Sequence, residues 1–143
     1  MWAHYGDNHK GVCLEFDATI AESTIRINPV VYNSESIPAI DKMDDYCPKI
    51  LLRKDEEWGY ENEWRIIARS SIPMMTEPVT HEFKKRSLTG IYFGCRVKSK
   101  DIDDIRARMM QFKSGDDSYQ HVKFQQVKYQ SGKIQFITLD GLI

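Results

Sequence analysis

The segment 88-LTGIYFG-94 most constrains what this chain can fold into. It is short, almost continuously apolar, rich in β-branched and aromatic side chains, and closed by glycine. That pattern predicts a strand buried on both faces. Such a strand needs partners in a sheet and elements packed against it. The following sequence supplies them. From about Lys100 to Lys113 a helix is predicted, with Ile102, Ile105, Met109 and Phe112 on one apolar stripe. Ser99 suits its N-cap, and Asp101, Asp103 and Asp104 complement the positive end of the helix dipole. The chain closes with 122-VKFQQVKY-129 and 134-IQFITL-139, two strands joined by the hairpin turn Gln130-Ser131-Gly132-Lys133. The apolar residues of the first change parity between Phe124 and Val127, which predicts a bulge at Gln125 and Gln126.

The first half is less regular. Residues 1–11 suit a short helix carrying Trp2, Tyr5 and His9 at one-turn spacings, with Gly11 as its left-handed stop. A strand is expected over 12-VCLEF-16, and another over 25-IRINPVVY-32 that Pro29 confines to an edge or bulge. Residues 33–42 read as loop and Met43 to Arg53 as a helix that Pro48 either enters in its first turn or breaks. Trp64 to Arg69 has the character of a central strand, and the two prolines of 70-SSIPMMTEPVT-80 mark an exposed connection. The chain of 143 residues is long enough for one domain with an ordinary core. The expected architecture is a single α+β domain over 1–143, with a mixed or antiparallel sheet and at least two flanking helices.

Charge narrows the functional classes. Twenty basic residues against twenty-one acidic ones leave a net charge of -1, which removes the footprint of a general nucleic-acid binder. No apolar run approaches the ~18 residues of a membrane span, and the start lacks an export signal, so a cytoplasmic protein is expected. Cys13, Cys47 and Cys95 are odd in number and widely spaced, which fits buried, reduced thiols rather than disulfides or a zinc site. His4 and His9 stand five apart and point in different directions, so no metal is expected.

The densest chemistry lies in 58-WGYENEWRII-67. If the whole stretch is a strand, Glu61, Glu63 and Arg65 share one face and Trp64 and Ile66 form the core face. Alternate side chains then stand about 7 Å apart. Two carboxylates so close suit acid–base work or stabilisation of a developing cation, with Arg65 holding one of them ionised. A solvent-facing ladder of mutually neutralised charges is the alternative. Trp58 and Tyr60 add aromatic surface of the kind that lines ligand sites.

Three blocks, 2-WAHYGDNHKGVCLEF-16, 58-WGYENEWRI-66 and 91-IYFG-94, resemble a family of uncharacterised bacterial and phage proteins with W-x-x-Y-x-x-x-H-x-G, Y-E-x-E-W-R and a strand ending in Phe-Gly. The resemblance spans nearly the whole chain. Members usually carry a further region ahead of the first block, so the chain looks like a short member lacking it. The pattern is also similar to ADP-ribosyltransferase-like proteins. That similarity implies NAD as cofactor or substrate and a nucleotide-directed transferase or glycohydrolase activity. In it Glu63 stabilises the oxocarbenium-like ribose and Glu61 orients or deprotonates the acceptor. Tyr5 stacks on nicotinamide, while His9, Arg65 and Tyr60 bind the rest of the substrate. The alternative is a non-catalytic protein-interaction module in phage conflict or regulation, anchored on Trp58 and Tyr60. An open sheet edge makes a second copy of the chain an expected partner.

Overall fold

In the computed structural model, the described residues are 2–21, 27–33, 50–67, 83–112 and 119–139. They fall into two compact units, Met1–Ala21 with Glu82–Ile143, and Glu22–His81.

The first unit is built around the apolar run. Strand β6 (Leu88–Phe93) lies inside a four-stranded sheet with β1 (Val12–Phe16), β7 (Lys123–Gln130) and β8 (Lys133–Thr138), in the order β1-β6-β7-β8. Strand β1 runs antiparallel to β6, from Val12 opposite Phe93 to Phe16 opposite Leu88, with a register shift between Glu15 and Phe16. Strand β7 runs parallel to β6, from Gly90 opposite Lys123 to Phe93 opposite Gln126. A parallel neighbour requires a crossover, and helix α3 (Ser99–Met110) lies in that connection. Leu88, Ile91, Phe93, Ile102, Val122 and Phe124 form the buried cluster, with Ile105, Met109 and Met110 of the helix against it. Phe93 is fully buried and stacks on Phe124. Burying such a ring contributes roughly 2–3 kcal/mol.

This is the expected α+β architecture with a mixed sheet, and β6 is buried at Leu88, Gly90, Ile91 and Phe93, while Tyr92 is only half-buried. Details differ. The N-cap position of α3 belongs to Lys98, because the amides of Asp101 and Ile102 both donate to the Lys98 carbonyl. No bulge interrupts β7, whose register with β6 and β8 runs without a shift. The parity change has another cause: Phe124 and Val127 are both buried, on opposite faces, so each face of β7 carries one buried apolar side chain. Strands β7 and β8 meet through the two-residue turn Ser131-Gly132, both with positive φ (52° and 74°). That is the primed geometry whose twist matches a β-hairpin.

The opening segment departs most from expectation. Helix α1 covers only Trp2–Tyr5. Gly11 does not take the left-handed conformation. Asp7, Asn8 and His9 do, at φ 44°, 52° and 68°. Asp and Asn tolerate that region better than other side chains, but three in succession is unusual. Helix α2 (Ala18–Ala21) follows β1.

The second unit has two small ladders. Strands β2 (Ile27–Pro29) and β5 (Trp64–Ile66) pair antiparallel, and β3 (Val31–Tyr32) and β4 (Arg53–Lys54) pair parallel. The strand expected over 25–32 therefore breaks at buried Val30, and Pro29 sits at the end of its ladder. The expected central strand from Trp64 belongs to this two-stranded ladder instead. Most of the helix expected from Met43, and the connection at 70–80, lie outside the described residues. No described helix is long and apolar enough to cross a membrane. Cys13 is half-buried and Cys95 exposed, both free thiols, so neither is the buried cysteine expected. Cys47 lies outside the described residues.

Candidate functional site

The sequence 55-DEEWGYENEWRI-66 does not enter its strand directly. Glu56–Glu61 forms a 3-10 helix, and Asn62 closes it in the left-handed conformation (φ 47°, ψ 47°), its amide donating to the Gly59 carbonyl at 3.3 Å. Asn is the residue type best suited to that step after Gly. Glu61 is therefore helical and Glu63 precedes β5, so the predicted row of Glu61, Glu63 and Arg65 along one strand does not form.

The two carboxylates still converge, through a residue that pattern reading missed. Lys54 Nζ bonds Glu61 Oε2 and lies 3.3 Å from Glu63 Oε2. Arg65 completes the cluster with Nε on Glu63 Oε1 at 2.6 Å and Nη2 on Oε2 at 3.0 Å. Its Nη1 donates to the Leu51 carbonyl. The Arg65 hydrogen bond holds the Glu63 carboxyl below the usual carboxylate range, against a smaller opposing push from burial, and Lys54 adds to the lowering. The expected pairing of Arg65 with one glutamate thus forms at Glu63.

Register explains why Lys54 arrives there. Tyr32 and Lys54 are partners in the β3–β4 pair, so their side chains leave on the same side. The Tyr32 hydroxyl accepts from the Glu63 amide at 2.7 Å, while the Lys54 amine meets the Glu63 carboxylate. Lys54 also lies 4.9 Å from the centroid of the Trp58 ring, which packs at 6.1 Å from Tyr60. An ammonium over an indole face is an attractive cation–π arrangement. The available signal was the dipeptide Arg53-Lys54 after an apolar pair, too common to single out.

The faces of β5 are the reverse of those expected. Trp64 and Ile66 are 61% and 57% exposed, whereas Arg65 is half-buried and bonded to Glu63. Opposite them in the ladder stand Pro29, also exposed, and Ile27. The side chains taken for core thus form an exposed apolar cross-strand patch. The charged side took the inner position because Lys54 and Arg65 neutralise it.

Tyr5 and His9 belong to the other unit. Tyr5 is exposed at the end of α1. His9 is fixed by its backbone: its amide donates to the Trp2 carbonyl at 3.2 Å, and its carbonyl accepts from Arg96 at 3.0 Å. Its Nδ1 is shielded from solvent and has no partner among the described residues. The surrounding glycines serve close backbone approach. A Cβ on Gly94 would fall 2.2 Å from the His9 carbonyl oxygen, and one on Gly11 3.1 Å from the Gly6 backbone. The amide of Gly94 donates to Gly11 at 3.0 Å. The spacing of His9, Gly11 and Gly94 is thus explained by docking of the opening segment on the end of β6.

The chain matches no curated protein and no solved structure. The model of a family described as "Protein of unknown function (DUF2971)" matches residues 1–66, a span that contains the Trp2-to-Gly11 and Tyr60-to-Arg65 blocks and stops short of Phe93-Gly94.

Proposed function

We propose that the chain works as a non-catalytic interaction module, docking a protein partner on the exposed apolar patch of Trp64, Ile66 and Pro29. The observation that carries this reading is the inversion of β5: its indole and its isoleucine are 61% and 57% exposed while its one charged residue, Arg65, turns onto Glu63. An exposed aromatic with aliphatic neighbours, held on a paired strand, is the type of anchor that dominates binding energy at interfaces. Exposed Tyr60 adds a second aromatic in the same unit. The network of Lys54, Glu61, Glu63 and Arg65 then serves to fix the ladder rather than to perform chemistry. A role in phage conflict or regulation suits such a module. The test is a photo-cross-linking side chain placed at Ile66 in cells, with exposed Glu57 as the control position. One discrete adduct from position 66, lost on Trp64→Ala, is expected. Equal labelling from both positions sinks the reading.

A second reading, a nucleotide-directed transferase or glycohydrolase acting on NAD, is favoured by Glu63 being held ionised while Lys54 links it to the Trp58–Tyr60 pair. There Glu63 stabilises the cationic ribose as nicotinamide leaves, and Glu61 orients the acceptor. Arg65 and Tyr60 contact the nucleotide. Nicotinamide release by the purified protein, compared with Glu63→Gln, decides it. Faster release by the unaltered chain establishes catalysis, and equal rates remove it.

A further inference from the structure

We infer that β8 is a self-pairing edge, through which two copies of the chain join their four-stranded sheets into one. This rests on the first unit alone and is independent of the docking surface proposed above.

Strand β8 ends the sheet, and among the described residues no strand pairs with its outer side. Five of its six residues are exposed, Ile134 and Phe136 each at 54%. It carries none of the usual guards, having no proline, no bulge and Lys133 as its single charge. The hairpin fixes which backbone groups are open. Gln130 and Lys133 flank the two-residue turn, so Lys133, Gln135 and Ile137 bond inward to β7. The amides and carbonyls of Ile134, Phe136 and Thr138 point outward.

The same pattern selects the occupant. A two-fold axis normal to the sheet preserves its faces, so antiparallel pairing must join residues of equal parity. Centred on Gln135, it sets Ile134 of each copy against Phe136 of the other. These are outward-bonding residues, and both are apolar. Lys133 falls opposite Ile137, so no like charges meet. Shifting the centre to Phe136 would set Ile134 against Thr138, losing that match. The favoured register also continues a face on which Phe136 packs edge-on to Tyr92 at 5.4 Å and Tyr129 stands opposite Ile134. The sequence of β8 is thus complementary to itself.

The full chain carrying Gln135→Cys tests this directly. In the proposed register the two 135 positions form a non-hydrogen-bonded pair with Cα atoms about 4.5 Å apart, within disulfide reach. Mild oxidation is expected to give a dimer whose disulfide joins the two 135 positions, identified by peptide mass spectrometry. Lys133→Cys, lying against Ile137 of the other copy, should give none. Sedimentation should show the unaltered chain dimerising as concentration rises and Ile134→Lys losing the dimer while keeping its circular dichroism. A monomer at every concentration, or equal cross-linking from positions 133 and 135, overturns the inference.

Discussion

Arg65 grips Glu63 through both carboxylate oxygens, with Nε on Oε1 at 2.6 Å and Nη2 on Oε2 at 3.0 Å. The grip spans two residues at the start of a strand, so it ties the turn at Asn62 to the β2–β5 ladder. The Glu63 amide adds a third tether through Tyr32.

The grip makes stability depend on acid. Glu63 holds its proton less tightly in the folded chain than in the unfolded one, so near and below about pH 4.3 the unfolded state binds more protons. The contribution of Glu63 is therefore complete above that range and lost as pH falls through the lower, folded value. Urea midpoints measured from pH 7 to pH 3 should fall more steeply for the unaltered chain than for Glu63→Gln. Parallel curves would show that the pair adds nothing.

Lys54 is the shared cation of the cluster, and its partner Glu61 has a side chain only 11% exposed. Lys54→Met keeps the aliphatic stem and removes the charge, leaving that carboxylate without this ammonium. A loss of about 2 kcal/mol is expected, from the cost of depriving a shielded charged group of one charge-assisted hydrogen bond. Pairing the change with Glu61→Gln should recover more than half of it, since the two residues share one interaction. Urea denaturation of the two single variants and the double variant measures both.

Where periodicity was strong, the fold was legible: the run at 88–94, the Ser131-Gly132 turn and the stripe of α3 at Ile102, Ile105 and Met109 form as expected, although Phe112, expected on that stripe, lies past the helix end and is 56% exposed. The candidate site was legible in its residues but not in its geometry. A Glu-x-Glu spacing implies one strand face only if the intervening residue is extended, and Asn62 is left-handed. Hydropathy placed Trp64 and Ile66 inward, but Lys54 pairs the acids on the other side, and its approach depends on the register of a two-residue parallel pair. Long-range pairings of that kind leave no period in the sequence.

Gly94 carries a steric prediction. Its hypothetical Cβ would stand 2.2 Å from the carbonyl oxygen of His9, a backbone atom that is itself bonded to the Arg96 amide. Neither side can yield without releasing the left-handed turn. Gly94→Ala should therefore cost about 3 kcal/mol or more, the upper range for overpacking. Thermal melting by circular dichroism checks it, and a melting point unchanged from the parent would mean the opening segment is not docked as described.

The hairpin offers the opposite case, strain without crowding. A Cβ on Gly132 would meet nothing within 4 Å, yet its φ of 74° is one that other side chains rarely adopt. Gly132→Val should then lose about 1–2 kcal/mol, the cost of a left-handed L-residue, with no contribution from packing. Ser131, at φ 52°, pays the same kind of strain already. Ser131→Asn relieves it, because Asn tolerates this conformation, and should raise stability by up to about 1 kcal/mol. Equilibrium unfolding of the two variants gives shifts of opposite sign if the turn is primed, and a fall in both would show that the two strands are joined by some other turn.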